Sequence, residues 1–162
     1  FGDAFHKGWN LLVEQSADEI SKIIKSTTHI WISHEHPDHF SISFFKIYEE
    51  LIKSQGIVIL FQETKDKRVK SFFTQNEFNF NELKFEEPLL IGNNYKITCI
   101  KDGYFDSALF IQTKDKRILN LNDCNVRTES RANEIYKVMK QYGIDANITH
   151  LEANISSKTS IG

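Results

Sequence analysis

Apolar residues along this chain change their spacing several times, and each change marks an element. SADEISKIIKS, from Ser16, opens with a capping box: the Ser16 hydroxyl and the Glu19 carboxylate can satisfy each other's backbone N–H groups, which starts a short helix. HIWIS, residues 29–33, is a β-rich run. SISFFKIYEELIKSQG follows, with Ile47, Tyr48, Leu51 and Ile52 at helical spacing and Gly56 as the C-terminal stop. IVILF, residues 57–61, is a continuous apolar run of buried-strand type. A second helical stretch, over about 65–75, places Val69, Phe72 and Phe73 on one side. The segments near 95–101, 107–113 and 117–122 alternate as strands do, and KDK joins the last two as a hairpin turn. SRANEIYKVMKQYG reads as a helix ended by Gly143, and DANITHLEA as one more strand. Helices and strands alternate, with one antiparallel pair, so the pattern predicts an α/β domain with a mixed sheet.

Composition narrows the class of protein. The chain has 162 residues, 40% of them hydrophobic and 13 of them Phe, which suffices for one domain over 1–162 with a sizeable core. Lys plus Arg is 20 and Asp plus Glu is 22, a near balance that argues against a nucleic-acid partner. Cys99 and Cys124 show no CxxC spacing and no disulfide framework, so a reducing, cytoplasmic setting is the simpler expectation. No run of about 18 apolar residues occurs, so no membrane span is expected. FGDAFHKGWNLL lacks the regions of a signal peptide and begins without Met, which suggests an excerpt of a longer protein.

The chemistry concentrates in SHEHPDHFS. His34, His36, Asp38 and His39 fall within six positions directly after the HIWIS run, in a chain with only 6 histidines. In an extended segment His34 and His36 project to the same side. Pro37 lacks a backbone donor and has a fixed φ, which suits a sharp turn that brings Asp38 and His39 round. Imidazole and carboxylate together suit zinc, iron or manganese better than calcium or magnesium. Four near-adjacent donors crowd a single ion. They fit two ions about 3.5–4 Å apart, with His34 and His36 on one and Asp38 and His39 on the other, and a water between them activated near neutral pH. A solvated loop that happens to carry histidine is the plain alternative.

SHEHPDHFS resembles the HxHxDH signature of the metallo-β-lactamase fold superfamily. GDAFHKGWNLL looks like the loop that precedes the motif in a bacterial subgroup, and RILNLNDCN like the later strand with a metal-bridging Asp. DSALFIQTKDKRILNLNDCN is most similar to the CMP-N-acetylneuraminate hydroxylase-like branch, which is related to L-ascorbate-6-phosphate lactonase-like and phospholipase D-type members. The resemblance implies an αββα sandwich of two mixed β-sheets flanked by helices, here incomplete at both ends. It implies that His34 and His36 hold the first metal, that Asp38 and His39 hold the second, and that Asp123 bridges them. By itself Asp123 is a strand-end residue that begins a turn, a common place for Asp.

The pattern also breaks. The family's third histidine for the first metal has no counterpart between Phe40 and Asn122, and Asp106 is the nearest substitute. Asp106 could ligate and harden the site toward iron or manganese, or could cap a turn through Ser107. His150 is the one histidine available as a final ligand, and it comes early in the chain for that role. Tyr104 and Phe105 could line a pocket, His6 and Trp9 could reach the cleft, and Arg127 and Arg131 could hold an anionic group. Each has a blander reading as core, loop or surface. Cys124 reads as a small buried residue.

The leading expectation is a hydrolase acting on a small molecule with an ester, lactone, phosphoester or amide bond. It would hold two divalent ions, zinc first, with iron or manganese as alternatives, and Asp38 would orient a metal-bound hydroxide. One alternative is an iron-dependent sugar-nucleotide hydroxylase-like module fed by a Rieske centre. Such a centre needs paired Cys-x-His and Cys-x-x-His segments, which do not occur here, so it would sit on a further domain. The other alternative is a degenerate domain that binds or assembles without catalysis.

Overall fold

A computed structural model of the chain describes residues 15–103 and 106–143. The chain divides into two compact units, Phe1–Cys124 and Asn125–Gly162.

In the first unit the helix α1 (Ala17–Lys25) starts at Ser16 with both halves of the capping box formed, and buries Ile20 and Ile24. Strand β1 (His29–Ile32) follows, then α2 (Ile42–Ile47) and α3 (Glu49–Ser54), β2 (Val58–Gln62), α4 (Arg68–Gln75) and β3 (Phe80–Leu83). These three strands form a wholly parallel sheet in the order β1-β2-β3, with helical crossovers between them. The remaining strands, β4 (Pro88–Ile91), β5 (Tyr95–Asp102), β6 (Asp106–Gln112) and β7 (Arg117–Asn120), form a wholly antiparallel meander.

Side-chain alternation on β2 separates two cores. Ile59 and Phe61 point into a cluster with Ile24, Phe45, Ile52 and Phe73 from the helices. Leu60 points the other way, into a cluster with Leu83, Ile97, Cys99 and Leu109, which joins the two sheets. Helices, parallel sheet and antiparallel sheet therefore stack as layers, each sealing one face of its neighbour.

The structure departs from the sequence expectation at three places. The pairing is segregated, one sheet parallel and the other antiparallel among the described strands, where two mixed sheets were expected. The predicted continuous helix over 42–55 is two short helices that meet at Tyr48, where φ is −104° and ψ is 15°. The ISFFKI half is rich in β-branched and aromatic residues, which are weak helix formers. The backbone bonds Tyr48 N–H to Phe44 and Ile52 N–H to Tyr48 persist, so the chain bends without stopping. Strands β3 and β4 are additions, too short to show a period. The strand expected at 145–153 lies outside the described residues. Among the described residues no helix is long and apolar enough to cross a membrane.

Strand β3 is tied to α4 by charge. The Glu82 carboxylate accepts from Lys67 at 2.7 Å and from Lys70 at 3.2 Å. Burial pushes the Glu82 carboxyl up, the two ammonium groups outweigh it, and the group ends below the usual carboxylate range. The contact's stability is present above the unfolded carboxyl pKa of about 4.3, and is lost as pH falls through the lower folded value. Glu82→Gln is expected to cost roughly 0.5–1 kcal/mol at neutral pH. It should also remove this part of the acid-side fall, as read by urea unfolding above and below that pH.

In the second unit Thr128 caps α5 (Glu129–Gln141) by accepting from Arg131 N–H, and Gly143 follows at φ 62°, the left-handed turn that ends many helices.

Candidate metal centre

The histidine loop hangs from the carboxyl end of β1, the edge of the parallel sheet among the described strands. Ligands in open α/β sheets gather at such ends. Two hydrogen bonds close its turn: His39 N–H and Phe40 N–H both donate to the His36 carbonyl, at 2.9 and 2.7 Å. The loop is pinned on its far side as well. The Phe40 ring packs against Phe72 and Phe73, at 5.4 and 5.5 Å between centroids, and Ser41 then caps α2.

The antiparallel sheet brings the acidic partners. Leu109 on β6 pairs with Asn120 on β7. Asp106 lies three residues before that rung and Asp123 three residues after it, so both carboxylates emerge at one end of the hairpin. Asn122 takes a left-handed conformation, φ 50°, which turns the chain just before Asp123; Asn tolerates that region better than most residues. Two bonds join this end to the histidine loop. The Ser107 hydroxyl donates to the Ser33 carbonyl at 2.8 Å, and the Asn122 amide donates to the Ser33 hydroxyl.

His34 is the hub of the group and is 1% exposed. Its Nε2 stands 2.7 Å from His36 Nδ1 and 3.9 Å from Asp123 Oδ2. Its Nδ1 stands 3.0 Å from the Ser33 hydroxyl and 3.2 Å from Asp106 Oδ1. His39 Nε2 lies 3.2 Å from the same Asp123 oxygen and 3.5 Å from Asp38 Oδ2. Donor atoms of His34, His39 and Asp123 all fall within 4.8 Å of one another, a spacing one cation could span. His36 joins this group through His34, and Asp38 joins it through His39. Three imidazoles and two carboxylates converging in this way fit a borderline divalent cation such as zinc, iron or manganese.

Charge in the group is unbalanced toward the carboxylates. Burial pulls the His34 imidazole down, but the hydrogen bond and charge of Asp106, with the charges of Asp123 and Asp38, outweigh it and leave the ring easier to protonate than usual. Burial pushes the Asp106 carboxyl up, and His34, the Ser107 N–H and Asn122 bring it below the ordinary range. Cys124 is buried beside Asp123; burial first, then the Asp106 and Asp123 charges, push its thiol up to about 12. That is the inert small residue expected of it.

Asp106 meets the ring edge of His34 that faces away from His36 and Asp123. Ser33 and Asn122, which help join the two loops, escaped notice in the sequence, and Ser107 was noticed only as a turn partner of Asp106, a bond that is present; their adjacency to His34, Asp106 and Asp123 was the available signal. Glu35, between the two histidines, is held by Arg68 at the start of α4 at 2.9 Å. Arg131 is bonded within its own unit, to Glu134 and to the Asn125 carbonyl. His6, Trp9, Tyr104, Phe105 and His150 lie outside the described residues.

No family model matches this chain. Among solved structures, CmlA, a diiron beta-hydroxylase from Streptomyces venezuelae, superimposes with a TM-score of 0.55 at 14% identity, over 68% of this chain and 23% of that one. The metallo-beta-lactamase fold protein YhfI from Bacillus subtilis gives 0.44 at 15% identity, over 65% of this chain and 47% of that one. Over the matched part the chain shares the fold of CmlA, two β-sheets with helices. Among curated proteins, cytidine monophosphate-N-acetylneuraminic acid hydroxylase of Sus scrofa is 28% identical over 131 residues, and that of Xenopus laevis 29% identical over 129. Each match takes in 76% of this chain, but only 29% and 21% of the relative's length. The two packed sheets account for where the candidate ligands stand: on loops at one edge.

Proposed function

We propose that this chain is a metal-dependent catalytic domain, with divalent ions held by His34, His36, Asp38, His39 and Asp123. The convergence of His34, His39 and Asp123 from loops 84 residues apart carries the reading. Bound there, the ions would supply Lewis acidity and, if the metal is iron, redox chemistry with dioxygen. The protein's own groups would do the rest. The Ser33–Asn122–Ser107 bonds hold the two loops in register. Asp38, with its side chain 27% exposed at the rim, is the group placed to orient a reactant and take up its proton.

Of the reaction classes, hydroxylation is favoured by the curated relatives, which are named as hydroxylases of cytidine monophosphate-N-acetylneuraminic acid. Its electrons would come from a partner domain, since Cys99 and Cys124 are both buried and offer no Rieske pattern. Hydrolysis of an ester, lactone, phosphoester or amide in a small molecule is the second reading. It is favoured by the donor set, which suits zinc as well as iron.

Metal analysis of protein purified without chelator separates the two. Iron, with turnover that needs dioxygen and reductant, supports hydroxylation. Zinc or manganese, with hydrolysis of generic ester, lactone or phosphodiester substrates, supports the second class. No metal as purified and none taken up on titration overturns the proposal. Asp38→Asn is expected to slow whichever reaction is found by about 100-fold or more, with metal content measured on the same samples. A variant that keeps the wild-type rate removes Asp38 from the mechanism.

A further inference from the structure

We propose that Asp106 is a positioning residue for His34, holding its Nδ1–H so that Nε2 is presented to the metal, and is not itself a ligand. This rests on the metal-dependent reading above.

The two nitrogens of an imidazole ring point away from one another, so the company of each can be read separately. His34 Nε2 faces the interior of the group, toward His36 Nδ1 and Asp123 Oδ2, at 2.7 and 3.9 Å. His34 Nδ1 faces out of it, toward Asp106 Oδ1 at 3.2 Å and the Ser33 hydroxyl at 3.0 Å. An ion shared by His34 and Asp123 would therefore lie on the far side of the ring from the Asp106 carboxylate. Asp106 is also absent from the group whose donor atoms fall within mutual reach.

The same oxygen of Asp106 accepts the Ser107 N–H at 3.0 Å, which fixes the carboxylate at the first residue of β6. Ser107, in turn, is fully buried and bonded to the Ser33 carbonyl, one residue before His34. The acceptor and the ring it orients are thus anchored to the same pair of backbones. A buried imidazole whose outer N–H lacks a partner is costly. One whose outer N–H is held by a carboxylate has its ring orientation and tautomer set, and its other nitrogen made more basic. The sequence offered Asp106 as a stand-in for a missing third histidine. The geometry gives it this different task, and leaves the first ion with fewer protein donors.

Two substitutions separate the roles. Asp106→Ala removes the acceptor. Asp106→Asn keeps an acceptor oxygen in place but makes a very poor metal ligand. Cobalt or zinc affinity of the metal-free protein is measured by competition with a chromophoric chelator, and the His34 tautomer by imidazole nitrogen NMR without metal. Positioning predicts unchanged stoichiometry in both variants, affinity about 10–100-fold weaker in Asp106→Ala, and substantial recovery in Asp106→Asn. It also predicts an Nδ1-protonated His34 ring in the wild type that becomes mixed in Asp106→Ala. Loss of an ion, or of the cobalt spectrum, in both variants alike makes Asp106 a ligand and overturns the proposal. Failure of the wild type to bind any metal overturns the function proposed above. The NMR comparison then decides Asp106 alone: a His34 tautomer that is the same in wild type and Asp106→Ala overturns its role.

Discussion

Asp123→Asn is expected to weaken metal binding by more than about 100-fold, beyond what loss of an outer partner causes. Among the described residues Asp123 supplies the one carboxylate oxygen set against both His34 and His39, at 3.9 and 3.2 Å. Asn keeps the size of the side chain and one oxygen. It removes the anionic charge that draws a dication to the imidazole rings, and turns half of the head group into a donor facing His39. Chelator competition on metal-free protein measures the loss. Thermal denaturation gives an independent reading: a metal at 100 times its dissociation constant stabilises the folded state by about 2.7 kcal/mol. That increment should appear in the wild type and vanish in Asp123→Asn. Circular dichroism should show the fold retained, because the side chain is 30% exposed and holds no strand together. Undiminished affinity in this variant would remove Asp123 from the site, and with it the link between the two loops on which the functional reading stands.

The fold's elements and the site's geometry were unequally visible in the sequence. Ser16 with Glu19, the HIWI run, the buried VILF strand and the KDK hairpin are local signals, readable because each element's stability begins with its own neighbours. Strands β3 and β4 are not of that kind. FNEL is a strand because Ile59 to Gln62 pair with it and because Lys67 and Lys70 hold Glu82, partners 12 to 21 residues away in the chain. Which strands pair in parallel is likewise decided by contacts that no short window contains. At the site, residue types were legible and orientations were not. His34, His36 and His39 stand out in a chain with six histidines. The face of His34 that Asp106 meets depends on where β6 begins relative to a loop 70 residues earlier, and on a left-handed turn at Asn122. Neither leaves a mark in spacing.

Phe73→Ala is expected to cost the first unit about 3–5 kcal/mol, the largest stability loss of any substitution considered. Phe73 is fully buried, and its ring lies 4.8 to 5.6 Å from the rings of Phe40, Phe45, Phe72, Phe78 and Phe80. Removing it opens a cavity where α2, α4, β3 and the histidine loop meet, and forfeits several edge-to-face pairs. Domains of this size hold about 5–15 kcal/mol in all, and the melting temperature should fall by roughly 6–20 °C. Phe73→Leu, which refills most of the space, should cost clearly less. The consequence reaches the candidate metal centre through Phe40, which follows His39 directly and rests on the Phe73 ring. With that support gone, the loop carrying three histidines loses its inner anchor, and metal affinity should drop several-fold even well below the melting temperature, where the fold is intact. Urea unfolding of metal-free protein reads the first effect and chelator competition reads the second. A stability loss under about 1 kcal/mol would mean the aromatic cluster does not support the parallel layer. A large loss with unchanged metal affinity would mean that the histidine loop does not depend on the Phe73 ring and is held by its other contacts, among them those of Ser33 to Ser107 and Asn122.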